Sequence, residues 1–66
     1  MDAQDRLLTI REVEAFARLS KPTIYILVKR GEFPRQLRLG PNRVAWLKSE
    51  VLAWIEDRAA AREVQS

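Results

Sequence analysis

The basic residues of this chain are concentrated in its middle. From residue 18 to residue 48 there are eight lysines and arginines and one acid, Glu32, which gives a net charge of +7, while each flanking segment is at −2. The eight cations are Arg18, Lys21, Lys29, Arg30, Arg35, Arg38, Arg43 and Lys48. Charge segregated in this way is typical of a face that binds a polyanion. The simpler alternative is a solvated basic surface.

The composition disfavours most kinds of catalysis. The 66 residues include no histidine and no cysteine, which removes the commonest general base, the commonest metal ligand and every thiolate. The carboxylates are scattered, and Gly31 and Gly40 stand singly at predicted turns rather than in a phosphate-binding loop. We therefore predict a protein that is not an enzyme, with no catalytic residue, cofactor, metal or small-molecule substrate.

Length and hydropathy indicate one small domain. Without disulfides, the 47% of hydrophobic residues must form the core unaided. No apolar run approaches the roughly 18 residues of a membrane span, and the polar N-terminus has no signal-peptide character. We expect a single domain over residues 1–66, ordered from about 7 to 62, in the cytoplasm and associated with the nucleoid.

Capping signals predict a helix near each end of the chain. Thr9 and Glu12 have the spacing of a capping box, which predicts a first helix at about 10–17. Ser49 precedes an apolar-periodic segment and is expected to cap a last helix at about 50–62.

A second helix follows the first after a very short turn. Ser20 is a good N-cap, Pro22 is tolerated in a first turn, and Gly31 is a good stop, so this helix is predicted at about 21–30. Two helices joined by about three residues are a helix-turn-helix candidate.

Two alternating segments around Gly40-Pro41-Asn42 predict a β-hairpin, with strands at about 36–39 and 43–47. Four apolar side chains of the hairpin are expected to turn inward: Leu37, Leu39, Val44 and Trp46. The order helix, turn, helix, hairpin, helix predicts an α+β fold, mainly α: a small winged helix-turn-helix.

The second helix has two distinct faces when its residues are projected at 100° each. The predicted core face is Ile24, Leu27 and Val28. The opposite face is Pro22, Ile26 and Lys29. Ile26 is therefore expected outside, where an apolar side chain can touch a thymine methyl group but cannot hydrogen-bond a guanine.

In helix-turn-helix proteins the second helix enters the major groove of DNA. Lys21 and Lys29 are placed to neutralise phosphates, and Tyr25 and Thr23 to donate hydroxyl hydrogen bonds. The alternatives are that Tyr25 is an edge of the core, that Thr23 only helps to cap the helix, and that Lys29 and Arg30 only offset the helix dipole.

The hairpin supplies a second set of cations. Arg35, Arg38 and Arg43 on a two-stranded ribbon suit the DNA backbone or an adjacent minor groove, whose negative potential attracts arginine. Arg38 and Arg43 are expected to face outward near the tip. Trp46 and Trp54 each share a face with apolar residues, so we predict that both belong to the core.

Spaced motifs along most of the chain resemble the AlpA family of prophage regulators, which are small winged helix-turn-helix proteins related to phage excisionases. The motifs are "LLTIREVEAFARLS", "TIYILVKRGEFP", "RLG", "RVAW" and "SEVLAWI", within about residues 7–58. The resemblance implies a recognition helix at 20–30, a wing at 35–47, and DNA binding near integrase genes or attachment sites. It implies a transcriptional regulator, or a recombination directionality factor that promotes excision.

Two positions depart from what is common in that family. Arg18 stands where glycine is frequent, so a positive φ there costs roughly 1 kcal/mol, although the guanidinium adds a potential phosphate contact. Ile26 stands where arginine is frequent. The complete set of predicted DNA-binding residues is Arg18, Ser20, Lys21, Pro22, Thr23, Tyr25, Ile26, Lys29, Arg30, Arg35, Arg38 and Arg43.

The expected partners are double-stranded DNA, an integrase or recombinase, and further copies of the chain on DNA, because a monomer of this size makes few base contacts. The alternative is a protein-interaction adaptor on the same fold, which the outward Ile26 and a partly covered face on the last helix would serve.

Overall fold

The computed structural model describes residues 6–65 and has three helices and three short strands in that range. In chain order these are β1 (Leu7–Leu8), α1 (Ile10–Ala17), α2 (Lys21–Lys29), β2 (Leu37–Gly40), β3 (Arg43–Leu47) and α3 (Lys48–Gln65). The fold is a small winged helix-turn-helix, mainly helical, as predicted. Within the described range, no helix has both the length and the apolar character needed to cross a bilayer.

The predicted capping box begins α1. The Thr9 Oγ1 accepts from the Glu12 backbone N–H at 3.2 Å, and the Glu12 carboxylate accepts from the Thr9 N–H at 2.8 Å. Both bonds satisfy groups that the first helical turn would otherwise leave without a partner. This local pair fixes where the chain enters the helix-turn-helix.

Arg18 ends α1 in the left-handed conformation, with φ 57° and ψ 42°, and its N–H donates to the Glu14 carbonyl at 2.8 Å. Arg18 is the one non-glycine residue in the described range with a positive φ, so the condition under which the sequence predicted strain at this position is met. The sharp reversal lets α2 start three residues later, with Ser20 as its N-cap.

The end of α2 is a Schellman motif built around Gly31. The Glu32 N–H donates to the Leu27 carbonyl at 2.8 Å, and the Gly31 N–H donates to the Val28 carbonyl at 3.0 Å. Gly31 has φ 74°, which supports its predicted role as the stop. Because Arg30 is the C-cap, the helix ends at Lys29, one residue before the predicted end.

The three strands form an antiparallel sheet in the order β1-β3-β2. The hairpin is close to prediction, but β1 was not predicted: Leu7 pairs with Leu47 and Leu8 with Trp46. This pairing makes β3 the central strand, so that consecutive residues Ala45 and Trp46 are both buried.

The prediction for Leu39 is wrong, because its side chain is 52% exposed. Leu37 pairs with Ala45 and Arg38 with Val44, and the register then shifts between Arg38 and Gly40. The irregularity breaks the two-residue alternation on which the prediction depended.

The core contains both predicted tryptophans, to different extents. Its buried cluster consists of Leu8, Val13, Ile24, Phe33, Trp46 and Val51. The Trp46 indole N–H donates to the Pro34 carbonyl at 2.8 Å. Trp54 is half-buried against this core, with its N–H on the Glu32 carbonyl at 2.7 Å and its ring 4.8 Å from that of Phe33.

The prediction that Ser49 caps α3 is also wrong. The helix begins at Lys48, directly after β3, so Ser49 lies in its first turn. The Lys48 N–H donates to the Arg6 carbonyl at 2.8 Å, an extension of the unpredicted β1–β3 pairing. The helix also continues past the predicted end, to Gln65.

Candidate nucleic-acid interface

The two faces of α2 are as predicted. Ile24 is completely buried and Leu27 and Val28 pack against the core. On the outer face Pro22 and Lys29 are exposed, and Ile26 is 55% exposed. This helix therefore presents an apolar residue at the centre of its solvent face.

The side of α2 toward the hairpin carries Lys21, Tyr25 and Lys29, spaced four residues apart. Residues at this spacing lie on one side of a helix, and the two lysines are about 12 Å apart along the axis. Two grooves separate this side of the helix from the hairpin, and both are lined by Tyr25 together with Asn42 and Val44.

The larger groove, of about 840 Å³, lies at the C-terminal half of α2. Its lining is Tyr25, Val28, Lys29, Arg35, Gln36, Arg38, Pro41, Asn42 and Val44. Three cations therefore face one opening, one from the helix and two from the hairpin region. Arg35 precedes β2, in the loop that leads to the ribbon, rather than on the ribbon as predicted.

The second groove, of about 530 Å³, lies at the N-terminal end of α2. It brings Lys21 of the helix and Arg43 of β3 to the same opening, again beside Tyr25. Its floor is more apolar, with Leu7, Leu8, Ile10 and Leu39. Together the grooves gather five of the predicted cations along the cleft between helix and wing.

Charge is segregated between this cleft and another surface of the molecule. No aspartate or glutamate lines either groove, whereas a separate pocket of about 470 Å³ beside Trp54 is lined by Glu32, Glu50 and Asp57. The side chains of the groove cations make no hydrogen bond or ion pair with other residues of the described range. Their charges are therefore available to an anionic partner.

Tyr25 and Thr23 both contact other residues of the fold, and Tyr25 also lines the grooves. The Tyr25 ring is half-buried, 6.1 Å from the ring of Trp46, so it is an edge of the core and also part of both groove walls. The Thr23 hydroxyl lies 2.9 Å from that of Ser20, whose Oγ also accepts the Thr23 N–H at 3.4 Å. The predicted capping role of this pair is therefore present.

Several predicted contacts lie outside the two grooves. Six of the twelve line neither: Arg18, Ser20, Pro22, Thr23, Ile26 and Arg30. Arg18 ends α1 and Arg30 caps α2, while Pro22 and Ile26 occupy the outer face of the helix. The structure thus divides the predicted set between the cleft, the outer face of α2 and the helix ends.

Gln36, Leu39 and Asn42 line the grooves but were not among the predicted contacts. Gln36 and Asn42 are amides able to donate and accept hydrogen bonds, and Asn42 lines both grooves. Leu39 was assigned to the core but lines the smaller groove. The position of Asn42 at the hairpin tip could have indicated that it lines the grooves. The exposure of Leu39 could not be predicted, because the register shift is not visible in the sequence pattern.

The groups that line the cleft are able to form ion pairs and hydrogen bonds. Lysine, arginine, tyrosine and amide groups offer charge and hydrogen bonds to phosphate or base edges. Among the described residues, no group of three or more potential metal-binding side chains lies together.

A helix-turn-helix whose second helix faces a β-hairpin across a basic cleft defines a winged helix-turn-helix protein. The family model for prophage CP4-57 regulatory protein (AlpA) matches residues 6–59. The chain therefore belongs to the AlpA family of prophage regulatory proteins, as the sequence motifs indicated. It is also 50% identical over 60 residues to "Uncharacterized protein ORF88" of Enterobacteria phage P4, an alignment that covers 91% of this chain and 68% of that protein.

Proposed function

We propose that this protein binds double-stranded DNA sequence-specifically, with α2 in the major groove and the wing on the backbone or in the adjacent minor groove. The observation that carries the proposal is the cleft lined by Lys21, Lys29, Arg35, Arg38 and Arg43 and by no carboxylate. DNA is the polyanion whose groove admits an exposed helix of this size, and membership of a regulatory family supports the same conclusion.

We assign the phosphate contacts and the base contacts to different surfaces, according to where their side chains lie. Cations on both sides of the cleft bind phosphates and fix the register of the protein on the duplex. The outer face of α2, with Pro22 and Ile26, then meets base edges. Arg18 and Arg30, at the helix ends, are proposed as additional phosphate contacts.

A salt titration tests DNA binding directly. If about six phosphates are neutralised, log K falls with log salt at a slope of roughly −5, measured by fluorescence anisotropy on a duplex selected from a random library. Lys29→Ala should reduce the slope by about 1, while Arg62→Ala, which removes an exposed charge from α3, leaves it unchanged. No binding at low salt, or binding without salt dependence, would refute the proposal.

We propose that the protein acts at a prophage or related mobile element, as a recombination directionality factor, a transcriptional regulator, or both. Its proposed partners are an integrase and further copies of the chain on DNA. An excision factor should bend its site and bind neighbouring sites cooperatively, which circular-permutation gels measure. A regulator without excision activity should change a promoter reporter and leave integrase-dependent excision unchanged.

The adaptor alternative is favoured by one observation, the exposure of Ile26 and Leu39 on the surfaces of helix and wing. It predicts a protein partner that stays bound at high salt, and it predicts that neutralising the groove cations leaves function intact. Loss of function in Lys21→Ala and Arg43→Ala variants that remain folded would exclude it.

A further inference from the structure

The outer face of α2 offers DNA an apolar surface bordered by cations. Ile26 is 55% exposed, and Pro22, one turn before it, is also exposed and has no backbone N–H to donate. Lys29 lies at one margin of this surface and Arg30 at the other. The centre of the face therefore holds carbon atoms, with charge only at its sides.

Two hydroxyl groups at the start of α2 share one hydrogen bond. Ser20 and Thr23 lie at the N-terminus of α2, where their hydroxyl groups bond each other at 2.9 Å. Ile26 itself is aliphatic and exposed, so a base edge opposite it meets carbon atoms and no hydrogen-bond donor from that residue. Of the groups that bases display in the major groove, the 5-methyl of a pyrimidine is the apolar one.

We propose that Ile26 reads the 5-methyl group of a pyrimidine, so that thymine and 5-methylcytosine are equivalent to it at that position. The inference depends on the proposed docking of α2 in the major groove. It goes further in naming the group that is read and in predicting that methylation of a cytosine at that position strengthens binding.

The size of the effect follows from the area that one methyl group removes from water. Burial of a methyl against an aliphatic side chain changes affinity by about fourfold. The same factor should separate thymine from uracil, and 5-methylcytosine from cytosine, because each pair differs by that methyl alone.

The experiment uses the full chain and a duplex selected from a random library. A thymine-to-uracil scan finds the methyl-sensitive position, and that position is then compared as T, U, C and 5-methylcytosine by anisotropy. For the unmodified protein we expect about a fourfold loss from T to U and about a fourfold gain from C to 5-methylcytosine. In Ile26→Ala the ratio of affinities should fall toward one for both pairs of bases.

A matched variant separates this readout from general effects. Leu52→Ala removes an exposed leucine of α3 that lines neither groove, and its response to the four bases should equal that of the unmodified protein. Circular dichroism melts of both variants show that they are folded.

The outcomes are distinguishable. Salt-dependent binding with no methyl-sensitive position, or with sensitivity that persists in Ile26→Ala, overturns the inference and leaves DNA binding standing. Lack of salt-dependent binding to any duplex overturns the proposed function and the inference with it.

Discussion

Replacing Arg18 by glycine should stabilise the protein, because Arg18 holds a left-handed backbone conformation at φ 57° and ψ 42°. For a residue with a β-carbon this conformation costs about 1–2 kcal/mol. Glycine removes this cost, but it also increases the entropy of the unfolded chain, which lowers the free energy of unfolding by up to about 1 kcal/mol. The expected net gain in the free energy of unfolding is therefore about 0.5–1 kcal/mol.

Arg18→Ala is the matched control, because alanine also loses the guanidinium but keeps the β-carbon. The glycine variant should melt several degrees above the alanine variant, since about 1 kcal/mol corresponds to about 4–8 °C in a domain of this size. Thermal and urea unfolding followed by circular dichroism give both values. Equal stabilities for the two variants would refute the reasoning about backbone strain. DNA affinity, measured separately, should fall equally in both if the guanidinium contacts a phosphate.

Three further substitutions test the packing and the caps. Trp46→Ala should cost roughly 3–5 kcal/mol, because the ring is fully buried and its N–H bonds Pro34, and an unchanged urea midpoint would contradict this. Ser20→Ala should cost about 1 kcal/mol through loss of the α2 cap, whereas an exposed serine-to-alanine change outside a cap should cost almost nothing. Gly31→Ala should cost roughly 1 kcal/mol because of the positive φ alone, since no atom lies within 4 Å of the added β-carbon. An unaltered melting temperature would contradict this and show that the Schellman turn adapts.

Features set by neighbouring residues were predictable from the sequence. The capping pair Thr9 and Glu12, the Ser20 cap and the Gly31 stop each depend on groups within a few positions, so the limits of α1 and α2 followed to within a residue. The outward position of Ile26 followed in the same way, from helical periodicity.

Features set by distant parts of the chain were not predictable in this way. β1 exists only because Leu7 and Leu8 pair with residues some forty positions away, and that pairing also allows α3 to begin without a capped loop. The exposure of Leu39 depends on a register shift that alternation does not show. The charge pattern located the basic region of the chain. Which of its cations line the grooves, and that Arg18 and Arg30 do not, depends on how the hairpin lies beside α2 in the folded structure.

The salt dependence of DNA binding by the double variant Lys21→Ala/Arg43→Ala tests the central claim most directly. These residues approach one groove from the helix and from the wing, so losing both should weaken binding to every duplex and reduce the slope of log K against log salt by about 2. The double variant Arg58→Ala/Arg62→Ala on α3 removes the same charge from outside the cleft and should keep the original slope. Equal slopes for the two double variants would contradict the account, since the cleft would then contribute no more than general charge.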